Sequence, residues 1–313
     1  MVPLPTLSRD QKPKVGVTIC VLLYGDYLEL ASRCLNSILP NDGIPVIVGM
    51  NACSEATGTY VEELRKRFPT QVSVVKSATN IHKYPMMRRM FYGPGSAIRT
   101  THVAWFDDDS YLTASVADWN QHVSSRFGEF ELLGSVYTQP LQGCQADWIE
   151  DQPWYRGQSV RVKATDSQRQ RRQRPNPYRV RFVTGGYWVA TMQHLRMYDW
   201  PWPQRLDHNG GDVMLGEMYR QQNLRVVHDK YGVAINADRD GRESKAVRRG
   251  YTSRPIGFDY DRSAAGQVLD RYGVGKVMDV PAVVSTPPAA QTPASVAAEP
   301  TAASKPQPFE LEL

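Results

Sequence analysis

The strongest constraint on this chain is a rhythm in its first 110 residues, where strand-length apolar runs alternate with stretches of helical spacing. Residues 15–23 form a near-continuous apolar run, and Tyr24-Gly25-Asp26 then turns the chain. Leu28, Ala31, Leu35 and Ile38 recur at helical spacing. Residues 46–48 read as the next strand, 51–54 as a loop, and 55–68 as a helix for which Ser54 is an N-cap. Residues 72–75 give a third strand. Residues 102–106 give a fourth, which runs directly into Asp107-Asp108-Asp109. Strands that lack polar alternation and are separated by helices predict an α/β fold: a mostly parallel, Rossmann-like sheet with helices on both faces. Ligands of such sheets bind beyond the carboxyl ends of the strands. The Asn51 loop and the triple aspartate both fall on that edge.

Composition agrees. With 41% hydrophobic and 22% charged residues, the chain is neither collagen-like, wholly disordered nor a coiled coil. No linker interrupts the first three quarters, which predicts one domain over 15–275 after a short arm at 1–14. Residues 281–308 hold seven Pro, eight Ala and no aromatic residue, too little apolar surface to fold, so 276–313 is expected to be a disordered tail. Cys20, Cys34, Cys53 and Cys144 share no CxxC spacing, which argues against a zinc knuckle or redox pair. Unpaired cysteines suit a reducing compartment. Residues 1–14 lack the apolar core of a signal peptide, and the 15–23 run is far short of the roughly 20 residues that span a bilayer. A soluble, cytoplasmic protein with no membrane partner is expected.

Some residue groups invite chemistry. Three adjacent aspartates repel one another unless a cation compensates. Their oxygens suit Mg²⁺ or Mn²⁺, ions that often bridge to substrate phosphates. The same run can instead be a solvated acidic turn capping a helix. Asp212 precedes an apolar helical pattern and is either a general base or an N-cap. His228, at the end of an apolar run, is either a metal ligand or a polar strand terminus. His102, His122 and His194 have no partner pattern and read as structural, and Glu217 reads as a surface residue. The net charge is +5, yet residues 161–181 alone carry eight basic residues against Asp166. That run, with Arg171, Arg172 and Arg174 at its centre, is either a polyanion contact or a solvated loop. Most of the tryptophans and tyrosines of the second half read as core; sugars and bases both stack on such rings, and Trp188 is the best candidate to sit in a site.

The run 17–24 with the helix ending at Ser37-Ile38-Leu39 resembles the opening of a family-two glycosyltransferase of the GT-A fold. Trp105-Phe106-Asp107-Asp108-Asp109 resembles its DxD motif, Thr184-Gly185-Gly186 its acceptor-side glycine segment, and Gly210-Gly211-Asp212 its later acidic motif. The resemblance covers residues 14–232, and four motifs in order are more specific than any one. It implies a nucleotide-diphospho-sugar transferase that uses Mn²⁺ or Mg²⁺ and a nucleotide-sugar donor, with UDP-sugar the first choice, and that inverts the anomeric carbon. It also implies roles. Asp107 and Asp109 would hold the ion and touch the donor's ribose and diphosphate, with Asp108 the variable middle position and His228 a further ligand. Tyr24 would pack against the base. Asn51 stands where the family has an acid that accepts the uracil N3–H. Asn80 and Arg88 lie in the segment that reaches the diphosphate, though His82 stands where the family often has Gly. Asp212 would be the base. Gly185, Gly186 and Trp188 would meet the acceptor, with Asp207 and His208 nearby.

The acceptor is open. Some bacteriophage glycosyltransferases modify hydroxymethylated pyrimidines in DNA, and the basic run suits modified DNA as a partner; a protein or glycan acceptor is equally allowed. A non-catalytic nucleic-acid-binding module is the alternative of another class.

Overall fold

The structure, a computed structural model, describes residues 13–93, 98–139, 149–150, 152–157, 180–201 and 211–235. The expected arm (apart from Lys14 and its neighbour), the centre of the basic run with Arg171, Arg172 and Arg174, the segment with Asp207 and His208, and the Pro/Ala-rich tail lie outside the described residues.

The alternation read from the sequence is present. Strand β1 (Lys14–Tyr24) leads to α1 (Leu28–Ile38), β2 (Val46–Asn51), α2 (Glu55–Arg67), β3 (Val72–Ser77), α3 (Lys83–Tyr92) and β4 (Thr100–Asp107). Then come β5 (Tyr111–Leu112), α4 (Val116–Ser125), β6 (Leu132–Gln139), β7 (Val180–Thr191), α5 (Met192–Met197), α6 (Gly211–Gln221), β8 (Val226–His228) and β9 (Val233–Ala234). Ser54 caps α2 as expected, its hydroxyl accepting from the Thr57 N–H at 3.4 Å.

Seven strands form one sheet in the order β3-β2-β1-β4-β7-β6-β8, and β5 pairs with β9 in a small antiparallel ribbon. The pairs β3–β2, β2–β1, β1–β4 and β6–β8 are parallel. Strand β7 alone runs against its neighbours β4 and β6, so the sheet is mostly rather than wholly parallel.

The apolar strands are explained by two cores, one on each face. Along β4, Val103 and Trp105 enter one core while Ala104 and Phe106 enter the other. The first is closed by Met86, Met87, Met90 and Phe91 of α3 and by Val213, Met214 and Met218 of α6. The second is closed by Ala31 and Leu35 of α1, Val61 of α2 and Trp119 of α4. Among the described residues, no helix is long and apolar enough to cross a membrane.

His102 lies buried at the start of β4, stacked on Phe127 with centroids 3.8 Å apart. Its Nδ1 meets the Thr101 hydroxyl at 2.9 Å, and its Nε2 is buried without a hydrogen-bond partner. Burial pushes the imidazole down from 6.5 to about 4. A depressed histidine favours the fold while neutral. Its contribution is therefore complete above the unfolded value and is lost as pH falls from 6.5 towards 4. Allowing for solvent screening, the loss is on the order of 1–2 kcal/mol. Urea unfolding at pH 7 and pH 4.5 should show it in the natural protein and not in His102→Phe; equal pH dependence in both proteins would refute the assignment.

Candidate active site

Register brings the candidate residues to one edge. Asp107 lies opposite Leu22 on β1, and Tyr24 lies opposite Asn51 on β2, so all three sit at carboxyl ends of parallel strands. Strand β7 pairs Tyr187 with Phe106, and because it runs the other way, Gly185 and Gly186 arrive at the same edge from outside.

The centre is a lysine bonded to one carboxylate and feeling the charge of a second. Lys83 opens α3, and its Nζ donates to Asp107 Oδ2 at 2.8 Å and to the Gly185 carbonyl at 2.6 Å. The Asp107 side chain is 18% exposed and that of Lys83 12%. Asp107 Oδ1 accepts from the Trp105 indole at 2.9 Å, and the ammonium lies 5.8 Å from the Trp105 ring centre. Asp212, in the first turn of α6, accepts from the Tyr84 hydroxyl at 3.1 Å and from the Gly185 N–H. A Cβ placed on Gly185 would fall 2.5 Å from Asp212 Oδ2 and 2.7 Å from Lys83 Nζ, so glycine is required for this approach. Gly211, at the start of α6, is likewise filled against by the Tyr84 ring.

Electrostatics decide the charge states. Burial works to lower the Lys83 ammonium, but Asp107, Asp212 and Asp109 outweigh it and hold Lys83 above its usual value. Burial raises the Asp212 carboxyl, and Asp107 adds to that, while Lys83, Tyr84 and the Gly185 N–H pull it down; the balance is upward. The helix dipole alone therefore does not set the state of Asp212. Beneath them, the buried Cys34 thiol is raised by burial first, then by Asp108, Asp109 and Asp107.

Other expected site residues are placed differently. Asp108 is buried and accepts from the Tyr24 backbone N–H at 3.4 Å, tying β4 to β1 rather than facing outward. Asp109 is also buried, at 7% exposure, next to the cluster. Asn51 is 2% exposed, and its side-chain oxygen accepts from the Ile81 N–H at 2.9 Å while its amide donates to Asn80 at 3.0 Å. The oxygen expected to meet a base thus fastens the turn before α3. Arg88 was expected at a diphosphate but is fully buried. It donates to Asp199 Oδ1 at 2.8 Å and to the Asp199 and Pro201 carbonyls, because a loop with carbonyls turned inward needs a multidentate donor. Trp188 is fully buried between Trp105, Phe91 and Trp200, stacked on Trp105 at 6.0 Å, and offers no face to a sugar. His228 is exposed and accepts from the Val136 N–H at 3.0 Å. Its strand is three positions from β4, roughly 14 Å across the sheet, which removes it from the Asp107 cluster. Glu217 is not a surface residue: it is fully buried and held by Arg220 and Gln221. His102, His122 and His194 do make structural contacts, His122 with Asp229 and His194 with Thr191.

Sequence reasoning missed Lys83, Tyr84 and the indole of Trp105. One signal was available for Lys83. A cation at a helix N-terminus opposes the dipole, and α3 has no acid in its first turn to balance it. Such a lysine needs carboxylates from elsewhere in the fold.

Strand order, with a reversed strand beside β4, defines a mixed α/β fold, and the candidate residues lie on the carboxyl edge of its sheet. No protein-family model matches the chain, and no curated protein matches it. Among solved structures it is similar to S. aureus TarS 1–349, at 14% identity and a TM-score of 0.45, over 82% of this chain and 70% of that one. It is also similar to the mannosyltransferase PcManGT from Pyrobaculum calidifontis, solved with GDP-Man and Mn²⁺, at 15% identity and a TM-score of 0.44, over 79% and 64% of the two chains. A third, GalNAc-T7 with UDP, GalNAc and Mn²⁺, matches at 9% identity and a TM-score of 0.45, over 83% and 55%.

Proposed function

We propose that this chain is a glycosyltransferase that moves a sugar from a nucleotide-sugar, with UDP-sugar the first choice, to an acceptor hydroxyl. The observation that carries the reading is the pair Asp107 and Asp212 on one ligand edge, Asp107 bonded to the Lys83 ammonium and Asp212 within reach of its charge. In the proposed reaction the acceptor oxygen forms a bond to the anomeric carbon from the face opposite the leaving group. The bond from that carbon to the diphosphate oxygen breaks, and the nucleoside diphosphate leaves with the electron pair. The acceptor proton passes to Asp212. A carboxylate raised above its usual value is better matched to this task than an ordinary surface aspartate.

Among the described residues, no three His, Cys, Asp or Glu side chains converge as a metal cluster. Asp107 nevertheless already binds a cation, the Lys83 ammonium, and offers the hard oxygens that Mn²⁺ or Mg²⁺ prefers. These residues fit an ion held by one or two carboxylates, Asp107 with Asp109, and otherwise by diphosphate oxygens and water. Such an ion would neutralise charge on the leaving diphosphate. Tyr24 is assigned to the nucleotide side and Gly185 and Gly186 to the acceptor side. The domain is proposed to span 15–275. The basic run supports a polyanionic acceptor such as hydroxymethylated DNA, on charge alone, with protein or glycan acceptors as the alternative.

Thermal unfolding with UDP, GDP or CDP, each with Mn²⁺ or with EDTA, tests the donor site. A ligand at a hundred times its dissociation constant adds about 2.7 kcal/mol to folding. The expected result is a rise in melting temperature with UDP that requires Mn²⁺. No shift with any nucleotide would remove the donor site from this edge.

A further inference from the structure

We infer that Lys83 is a tethered counter-ion that competes with the divalent cation for Asp107, so that metal loading displaces it. The inference rests on the donor-site reading above and adds to it a residue that regulates metal occupancy. Three observations carry it. The Lys83 ammonium sits directly on the carboxylate that a metal would use, at 2.8 Å from Asp107 Oδ2. It is placed there against its own helix: α3 presents its positive end at Lys83, so the position is held by carboxylates and not by local preference. The ammonium also keeps a second anchor, the Gly185 carbonyl at 2.6 Å, on a different element of the site. Release from Asp107 therefore need not expel the side chain from the site.

The physical consequence is an exchange. An ion that takes Asp107 must break the Lys83 contact and overcome the repulsion of a unit positive charge close by. In return, the freed ammonium lies on the edge where a diphosphate would add negative charge. Metal and nucleotide would then bind better together than the metal alone, because the diphosphate supplies the anion that Lys83 loses.

The test is Mn²⁺ affinity of the nucleotide-free protein, read by electron paramagnetic resonance of free Mn²⁺, for the natural chain, Lys83→Gln and Lys83→Arg. Lys83→Gln should bind Mn²⁺ roughly tenfold more tightly, the scale of one charge-assisted hydrogen bond no longer lost. Lys83→Arg, which keeps the charge, should stay close to the natural protein. Equal or weaker binding by Lys83→Gln overturns the inference. Should that variant not fold, labelling of the natural protein decides. Lysine acetylation read by mass spectrometry should rise at Lys83 when Mn²⁺ is added, and an unchanged or lower yield overturns the inference. The two readings fail differently. If Mn²⁺ binds the natural chain but neither substitution nor labelling responds, only the role of Lys83 is lost. If neither Mn²⁺ nor UDP binds any of the proteins, the donor site itself is lost, and this inference with it.

Discussion

Asp212→Asn is expected to lower sugar transfer by a factor of about 10² to 10⁴, the range for removing a positioned general base. The replacement is nearly isosteric. The amide oxygen can still accept from the Tyr84 hydroxyl, which in the natural protein lies 3.1 Å from Asp212 Oδ1. What is lost is the ability to take a proton. Fold and donor binding should survive, since Lys83 retains Asp107 at 2.8 Å and the Gly185 carbonyl at 2.6 Å. The pH dependence provides an independent check. Burial raises the Asp212 carboxyl above its usual 3.8. A base acts only when ionised, so the rate should rise with pH through a value above the ordinary 3.8 of an aspartate. Single-turnover transfer measured by mass spectrometry, beside a melting curve, reads both effects. A variant that transfers sugar within tenfold of the natural rate would sink the assignment of Asp212 as the base.

The second large effect concerns stability. Arg88→Met is expected to cost about 3 kcal/mol of folding free energy. At a few degrees per kcal/mol for a domain of this size, the melting temperature should fall by roughly 10 °C. The guanidinium is fully buried and serves Asp199 Oδ1, the Asp199 carbonyl and the Pro201 carbonyl together. Methionine fills the space but leaves those acceptors without their donor. Adding Asp199→Asn should recover part of the loss, because the charge that Arg88 balanced is then gone. Denaturant unfolding of the single and double variants measures this. If instead Arg88→Met unfolds normally but binds nucleotide-sugar poorly, Arg88 belongs to the diphosphate after all.

The contrast between these two residues shows what the sequence makes legible. The parallel half was readable because buried strands, helical spacing and the Ser54 cap are local signals, and the triple aspartate closes a strand whose end must face a ligand edge. Asp212 could be singled out as a base or an N-cap, because an acid opening an apolar helix suits both roles. Direction in the second half was not readable. Nothing in residues 180–191 states that β7 pairs antiparallel with β4, because strand direction follows from the connections. Arg88 and Asn51 were misplaced for one shared reason: a fork of donors and a small amide suit phosphate and base, and equally suit backbone carbonyls and N–H groups. Trp188 is a matter of burial, as sequence alone does not separate a ring inside the core from one at its rim. Lys83 was missed because its partners come from β4 and β7, outside any local window.

That wide spacing bears on how the molecule is made. Lys83 joins Asp107 across 24 positions and Gly185 across 102, while Tyr84 reaches Asp212 across 128. During synthesis the aspartate cluster leaves the ribosome well before its later partners exist. The contacts that complete the edge are long-range and close after the local strand–helix units. On the proposed reading, acceptor capture by a nascent or refolding chain is therefore a late event, and its onset would time the docking of β7 and α6 onto the half made first.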